Sequence, residues 1–230
     1  MNKFALFKER SEGAYLDAQT KLIALRQQLA KIIAEHGRES KRFDHEHLAP
    51  EDVFYQKIIA AGKCNLLKTE SHVALLYSVK EIAQDPTVSI ATKTWEADFC
   101  KIAKDISENI SSDLRSLDSI VKSLDIETAI ALSSNNASHS HLDALIGLLK
   151  RLIANACDQV EKLPSSDLQA KENAINWLQT VRTKYANIVQ KWTDRAQIAR
   201  NERNNDIANM ADSRRKDYQT ILEMLNGFNM

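Results

Sequence analysis

Apolar residues recur at intervals of three and four along most of the chain, the spacing that lines side chains along one face of an α-helix. Phe4, Phe7, Ser11, Tyr15, Ala18, Leu22, Leu25, Leu29, Ile32 and His36 form the first such stripe and predict one long helix. Gly37 and Pro50 bracket a polar hinge after it. "EDVFYQKIIAAG" and "LLKTESHVALLYSVKEIA" read as two helical pieces separated near Gly62, and "QDP" at 84–86 ends the second. Val88, Trp95, Phe99, Ile102, Ile106, Ile110, Leu114, Leu117, Val121 and Leu124 make the clearest seam of the chain. "SLDIETAIALSSNNASHS" predicts a short helix and a loop. Leu142, Leu145, Leu149, Leu152, Ala156, Val160 and Leu163 then resume helical register up to Pro164.

Ser166 with Gln169 fits a capping box that starts a new helix. Neither Gly nor Pro occurs from Ser165 to Asn226, so a continuous helix there would run for roughly 90 Å at about 1.5 Å per residue. That length predicts a rod. Leu178, Val181, Tyr185, Ile188 and Trp192 keep a coiled-coil spacing, which fades at "RNERNND", 200–206, where the helix is polar all round and either kinks or faces solvent. The expected fold is all-α: a single elongated antiparallel bundle over 1–230, built of three long kinked helical segments at about 3–83, 87–163 and 166–228, with coiled-coil seams. Three amphipathic segments leave an exposed flank, and flanks of that kind drive dimers.

Composition narrows the function more than any motif does. Among 230 residues there are 5 Gly and 3 Pro, too few for a sheet with many turns or for a glycine-rich phosphate loop. Lys and Arg number 31, as do Asp and Glu, so any basic surface has to be local. The start "MNKFALFKERSEG" does not fit a secretory signal, and no apolar run reaches the roughly 18 residues that cross a bilayer. A cytoplasmic protein is expected. Cys64, Cys100 and Cys157 suit reduced thiols, and the sequons at Asn109 and Asn136 are those that chance supplies in a chain rich in Asn and Ser.

"SSDLQAKENAINWLQTV" from Ser165 and "NMADSRRKDYQTILEML" from Asn209 resemble the last long helix of the BAR domain of sorting nexins. "AYLDAQTKLIALRQQLAKIIAEHGRES" is similar to that family's opening helix. The resemblance implies an antiparallel, curved homodimer or heterodimer of three-helix coiled coils that binds anionic membrane on endosomes. The sequence departs from the family in having no phosphoinositide-binding PX domain ahead of the helices and in stopping about two turns after "KDYQTIL".

The charge map bears on the same function. Between 182 and 203 six basic residues face two acidic ones, whereas residues 96–127 hold eight acidic and four basic side chains. Lys184, Lys191 and Arg195 share one helix face, and Arg200 and Arg203 follow. Arg38, Lys41 and Arg42 do the same at the end of the first helix. These eight residues are the expected membrane-binding set, since each cation near an anionic leaflet contributes about 1 kcal/mol. Alternatively, they are solvated charges that pair with acidic neighbours, in a helical adaptor that binds protein along its flank without lipid. "DHEH" at 44–47 and "HSH" at 139–141 could be assembled into a zinc site only if two loops met, so they read as loop histidines. His36 and His72 fall on or near apolar stripes, and Trp95, Trp177 and Trp192 read as packing residues. Neither an activated nucleophile nor a carboxylate pair can be picked out, so neither an enzyme nor a cofactor is expected. In "DSRRKDYQTILEMLNGF", Tyr218, Ile221, Leu222 and Leu225 are expected to pack inward, with Arg214, Arg215 and Lys216 in water.

Overall fold

A computed structural model of the chain describes residues 3–36, 50–84, 95–123, 139–163 and 166–228. Among the described residues all regular structure is α-helical, as the periodicity predicts. The helices are α1 (Lys3–His36), α2 (Pro50–Gln84), α3 (Trp95–Ser123), α4 (His139–Glu161), α5 (Leu168–Asn201) and α6 (Asn205–Asn226). They divide between two compact units. One comprises Glu9–Tyr77 and Asp98–Ala144, the other Met1–Lys8, Ser78–Ala97 and Leu145–Met230.

In the first of these, the α1 stripe is the buried one: Ser11, Ala18, Leu22, Leu25, Leu29 and Ile32 are all inside. Leu25 and Ile32 pack with Phe54 and Ile58 of α2 and Leu117 of α3 into one apolar cluster. The α3 seam behaves likewise, with Phe99, Ile106, Ile110 and Leu117 buried. Polar groups are buried here too. Lys68 Nζ donates to Asp113 Oδ2 at 2.8 Å, and Lys21 bridges Asp17 and Ser107.

The expected break near Gly62 is absent, and α2 runs unbroken through it. The residue is glycine because of packing: a Cβ at Gly62 would come within 2.7 Å of Leu29 Cδ1. A mid-helix glycine costs up to about 1 kcal/mol in propensity, which the close approach of α1 offsets.

The second unit holds the largest correction. The stretch from 166 to 228 is not one long helix. α5 ends in a Schellman motif in which Asn204 N–H donates to Ala199 O at 2.8 Å and Arg203 N–H to Arg200 O at 3.0 Å. Arg203 occupies the left-handed position at φ 57°. Asn204 then caps α6, its side chain accepting from Ile207 N–H at 3.2 Å. The chain turns because 200–206 offers no apolar side chain to hold a helix against a neighbour, while Asn204 supplies an alternative partner for orphaned backbone groups.

α5 and α6 consequently pair as an antiparallel hairpin. Tyr185 faces Tyr218, ring centroids 6.0 Å apart. The Arg182 guanidinium donates to Leu225 O at 3.0 and 2.7 Å and also reaches Phe228 O, so it caps the carbonyl end of α6. The cap at the start of α5 also differs from the expected one. Asp167, not Ser166, accepts from Ala170 N–H at 3.0 Å, and Gln169 bonds Asn173 instead of closing a capping box.

α4 buries a broader face than the predicted stripe, adding Ile146, Leu148, Ile153 and Cys157 to it. Burial pushes the Cys157 thiol up to about 11, and none of Cys64, Cys100 and Cys157 is in a disulfide. No helix among the described residues is long and apolar enough to cross a membrane.

Candidate functional site

Helix α5 carries four of the eight residues expected to bind membrane, Lys184, Lys191, Arg195 and Arg200, and their surroundings differ sharply. Lys184 sits one position before the buried Tyr185, so its stem lies at the edge of the seam and its ammonium meets Glu81 of α2 as an ion pair. Burial alone lowers its pKa. Lys191 is exposed, and with Lys184, Thr180, Thr183 and Asn187 it lines one shallow polar depression along α5. Arg195 turns back over Trp192, its guanidinium 5.6 Å from the ring centroid. Arg200 pairs with Asp212 of α6. Arg203 is exposed at the tip of the hairpin. Arg38, Lys41 and Arg42 lie outside the described residues, as do His45 and His47.

Directly inside Lys184 the packing becomes polar in a way the sequence reading missed. Tyr185 and Tyr218 are both buried, and neither phenol oxygen finds a hydrogen-bond partner among the described residues. Burial drives both phenols well above their usual pKa. Arg214, expected in water, is only 2% exposed and pairs with Asp217 at 2.9 Å. Its register explains the burial. Ala211, Arg214, Tyr218, Ile221 and Leu225 follow one another at three and four, so the arginine occupies a seam position, while Arg215 is half-buried and Lys216 exposed. Leu222, expected inside, is half-buried at the edge of that seam.

Beside these groups lies a cavity of about 190 Å³. Ser78, Tyr185, Glu81 and Lys184 supply its polar lining, and Ile82, Val181 and Trp177 its apolar wall. Glu81 and Lys184 are each about a third exposed, which puts them at the mouth. No group of three His, Cys, Asp or Glu side chains among the described residues is arranged to hold a metal ion.

A different surface belongs to α1. On the side away from its buried stripe, Leu16, Thr20, Ile23, Gln27, Ala30 and Ala34 follow at intervals of four and three without a charge, and all are exposed. Leu16 is 51% and Ile23 48% exposed. The reading of one stripe per helix passed over this second line because its apolar members are seven apart.

Comparison of the chain with protein-family models, curated proteins and solved structures finds no significant match.

Proposed function

We propose that the protein is a dimeric helical scaffold that works by surface binding, with a second copy of the chain seated antiparallel on the uncharged stripe of α1. The observation that carries this reading is the stripe itself. An exposed, uncharged three-four line opposite a buried one is what a helix shows when it packs against two neighbours. The scaffold attaches to anionic membrane through Lys191, Arg195 and Arg203, with Arg38, Lys41 and Arg42 adding to the basic surface. Endosomal sorting on curved membrane is the setting implied by the resemblance to sorting-nexin BAR domains, whose elongated, curved three-segment bundle belongs to the same proposal.

A soluble adaptor that binds protein along the same stripe without lipid is the second reading. It is favoured by the pairing of Lys184 with Glu81 and of Arg200 with Asp212, which engages two of the expected cations with acids of the same chain.

Light scattering on the eluting protein tests the dimer. The expected mass is twice the 26.0 kDa chain, and Leu16→Glu with Ile23→Glu should return it to one chain with helix content unchanged. A single-chain mass for the parent at high concentration overturns the scaffold. Sedimentation with small anionic vesicles separates the two readings. Salt-sensitive binding that is lost in Lys191→Glu/Arg195→Glu/Arg203→Glu supports membrane attachment, and no sedimentation at low salt leaves the adaptor.

A further inference from the structure

Asn226 and Gly227 are the only Asn–Gly pair in the chain, and both are exposed at the end of α6. Such a pair is chemically labile, because glycine puts no side chain beside its own backbone nitrogen. That nitrogen attacks Cγ of the Asn226 amide. A C–N bond forms, the Cγ–Nδ2 bond breaks, and the backbone amide proton leaves with the side-chain nitrogen as ammonia. Water then opens either carbonyl of the resulting succinimide, leaving aspartate or isoaspartate at position 226.

The helix end decides how often the ring can close. Gly227 is still helical at φ −69° and ψ −17°, and its N–H donates to Glu223 O at 3.0 Å. Attack requires this peptide to swing out of the helix. The next backbone bond, from Phe228 N–H to Leu225 O, is already 3.4 Å long, and helix ends of this kind open first. Arg182 of α5 opposes the opening from both sides of the pair, since its guanidinium holds Leu225 O at 3.0 and 2.7 Å and also Phe228 O.

We infer that Asn226 is a site of spontaneous deamidation gated by Arg182, and that the product loosens the end of α6. The new carboxylate lies at the carbonyl end of a helix, where the macrodipole disfavours it. Isoaspartate also adds a main-chain carbon between Leu225 O and Phe228 O, which one guanidinium holds together. Leu225, fully buried, is the side chain that this loosening releases. The site is independent of the α1 stripe, so its failure leaves the scaffold reading untouched.

Peptide mapping by mass spectrometry after incubating the full chain in mildly alkaline buffer tests the inference. The folded parent should gain aspartate and isoaspartate at position 226 roughly 10–100-fold more slowly than the chain unfolded in urea. Gly227→Ala should remove most of the product, since its Cβ shields the nitrogen while meeting Met224 O at an ordinary 3.4 Å. Arg182→Met, with helix content matching the parent, should convert about tenfold faster, and Arg182→Lys, which keeps the charge without the fork, should fall between. Converted protein separated by ion exchange should melt about 1–4 °C below the parent. No product in the folded parent over about a hundred half-lives of the unfolded chain, or undiminished product in Gly227→Ala, overturns the site. A folded parent as fast as the unfolded chain, or a folded Arg182 variant no faster than the parent, overturns the gate. An unchanged midpoint after conversion overturns the loosening.

Discussion

Lys68 of α2 and Asp113 of α3 form a salt bridge of 2.8 Å with only 9% of either side chain exposed. Two charges withdrawn from water this far hold their place because each neutralises the other. Asp113→Ala leaves the ammonium buried without its carboxylate and should lose about 3–5 kcal/mol of stability. Lys68→Met combined with Asp113→Leu should be as stable as the parent or more stable, by up to about 4 kcal/mol. Urea unfolding of the two variants gives the comparison directly. Equal losses in both would mean that packing volume, not charge, governs the position.

The contrast between these residues and the apolar stripes shows what was legible in the sequence. Leu25, Ile106 and Leu149 could be assigned to the interior because helical period alone decides which face is apolar. Arg214 was misread for the opposite reason: its two basic neighbours suggested solvent, whereas its distances to Tyr218 and Ile221 put it on the seam. Gly62 signals a weak point by propensity, yet its function depends on Leu29, which lies far away in sequence. "RNERNND" is polar, but polarity permits a solvated helix and a turn equally, and the difference lies in the backbone hydrogen bonds that Arg203 and Asn204 donate to Arg200 O and Ala199 O. The Glu81–Lys184 mouth was invisible, because nothing local to either residue points to the other.

Arg203 gives the second prediction. A side chain with a Cβ held at φ 57° costs roughly 1–2 kcal/mol that glycine does not. Arg203→Gly should therefore raise stability by about 1 kcal/mol, and Arg203→Val should lower it by more than that. Chemical denaturation with an unchanged slope checks both. A glycine variant less stable than the parent would mean that the Arg203 side chain holds the turn together.

The Gly62 contact with Leu29 predicts a coupling. Gly62→Val overfills the approach of α1 to α2 and should cost about 1–3 kcal/mol. With Leu29→Ala in place, the same change should cost at least 0.5 kcal/mol less, about the smallest coupling expected of residues in contact. Independent, additive losses would place the constraint elsewhere.

Alkaline pH supplies the fourth prediction. The Cys157 thiol rises from 9.0 to about 11 on folding, and Tyr185 and Tyr218 are also raised. A raised folded value means that the native state favours the protonated group, so the stability it contributes is whole below the unfolded pKa. The Cys157 contribution should fade between pH 9 and 11, joined above pH 10 by that of the two phenols. Cys157→Ala/Tyr185→Phe/Tyr218→Phe should flatten the fall in melting temperature over that range. A parent midpoint that stays level from pH 8 to about pH 11 contradicts it.

The division of the chain into two units has a consequence for biosynthesis. Every residue of the unit formed by Glu9–Tyr77 and Asp98–Ala144 has been made once Ala144 is added, whereas the other unit needs α5 and α6. At about 5–20 residues per second the wait for the end of α6 is roughly 4–16 s. Val79, Ile82 and Ala83, buried in the finished protein, spend that interval on the nascent chain before α5 and α6 exist. Phe7, at the start of α1 and in the same unit, waits longer still, so the start of α1 and the end of α2 are the two early segments offered longest to a chaperone.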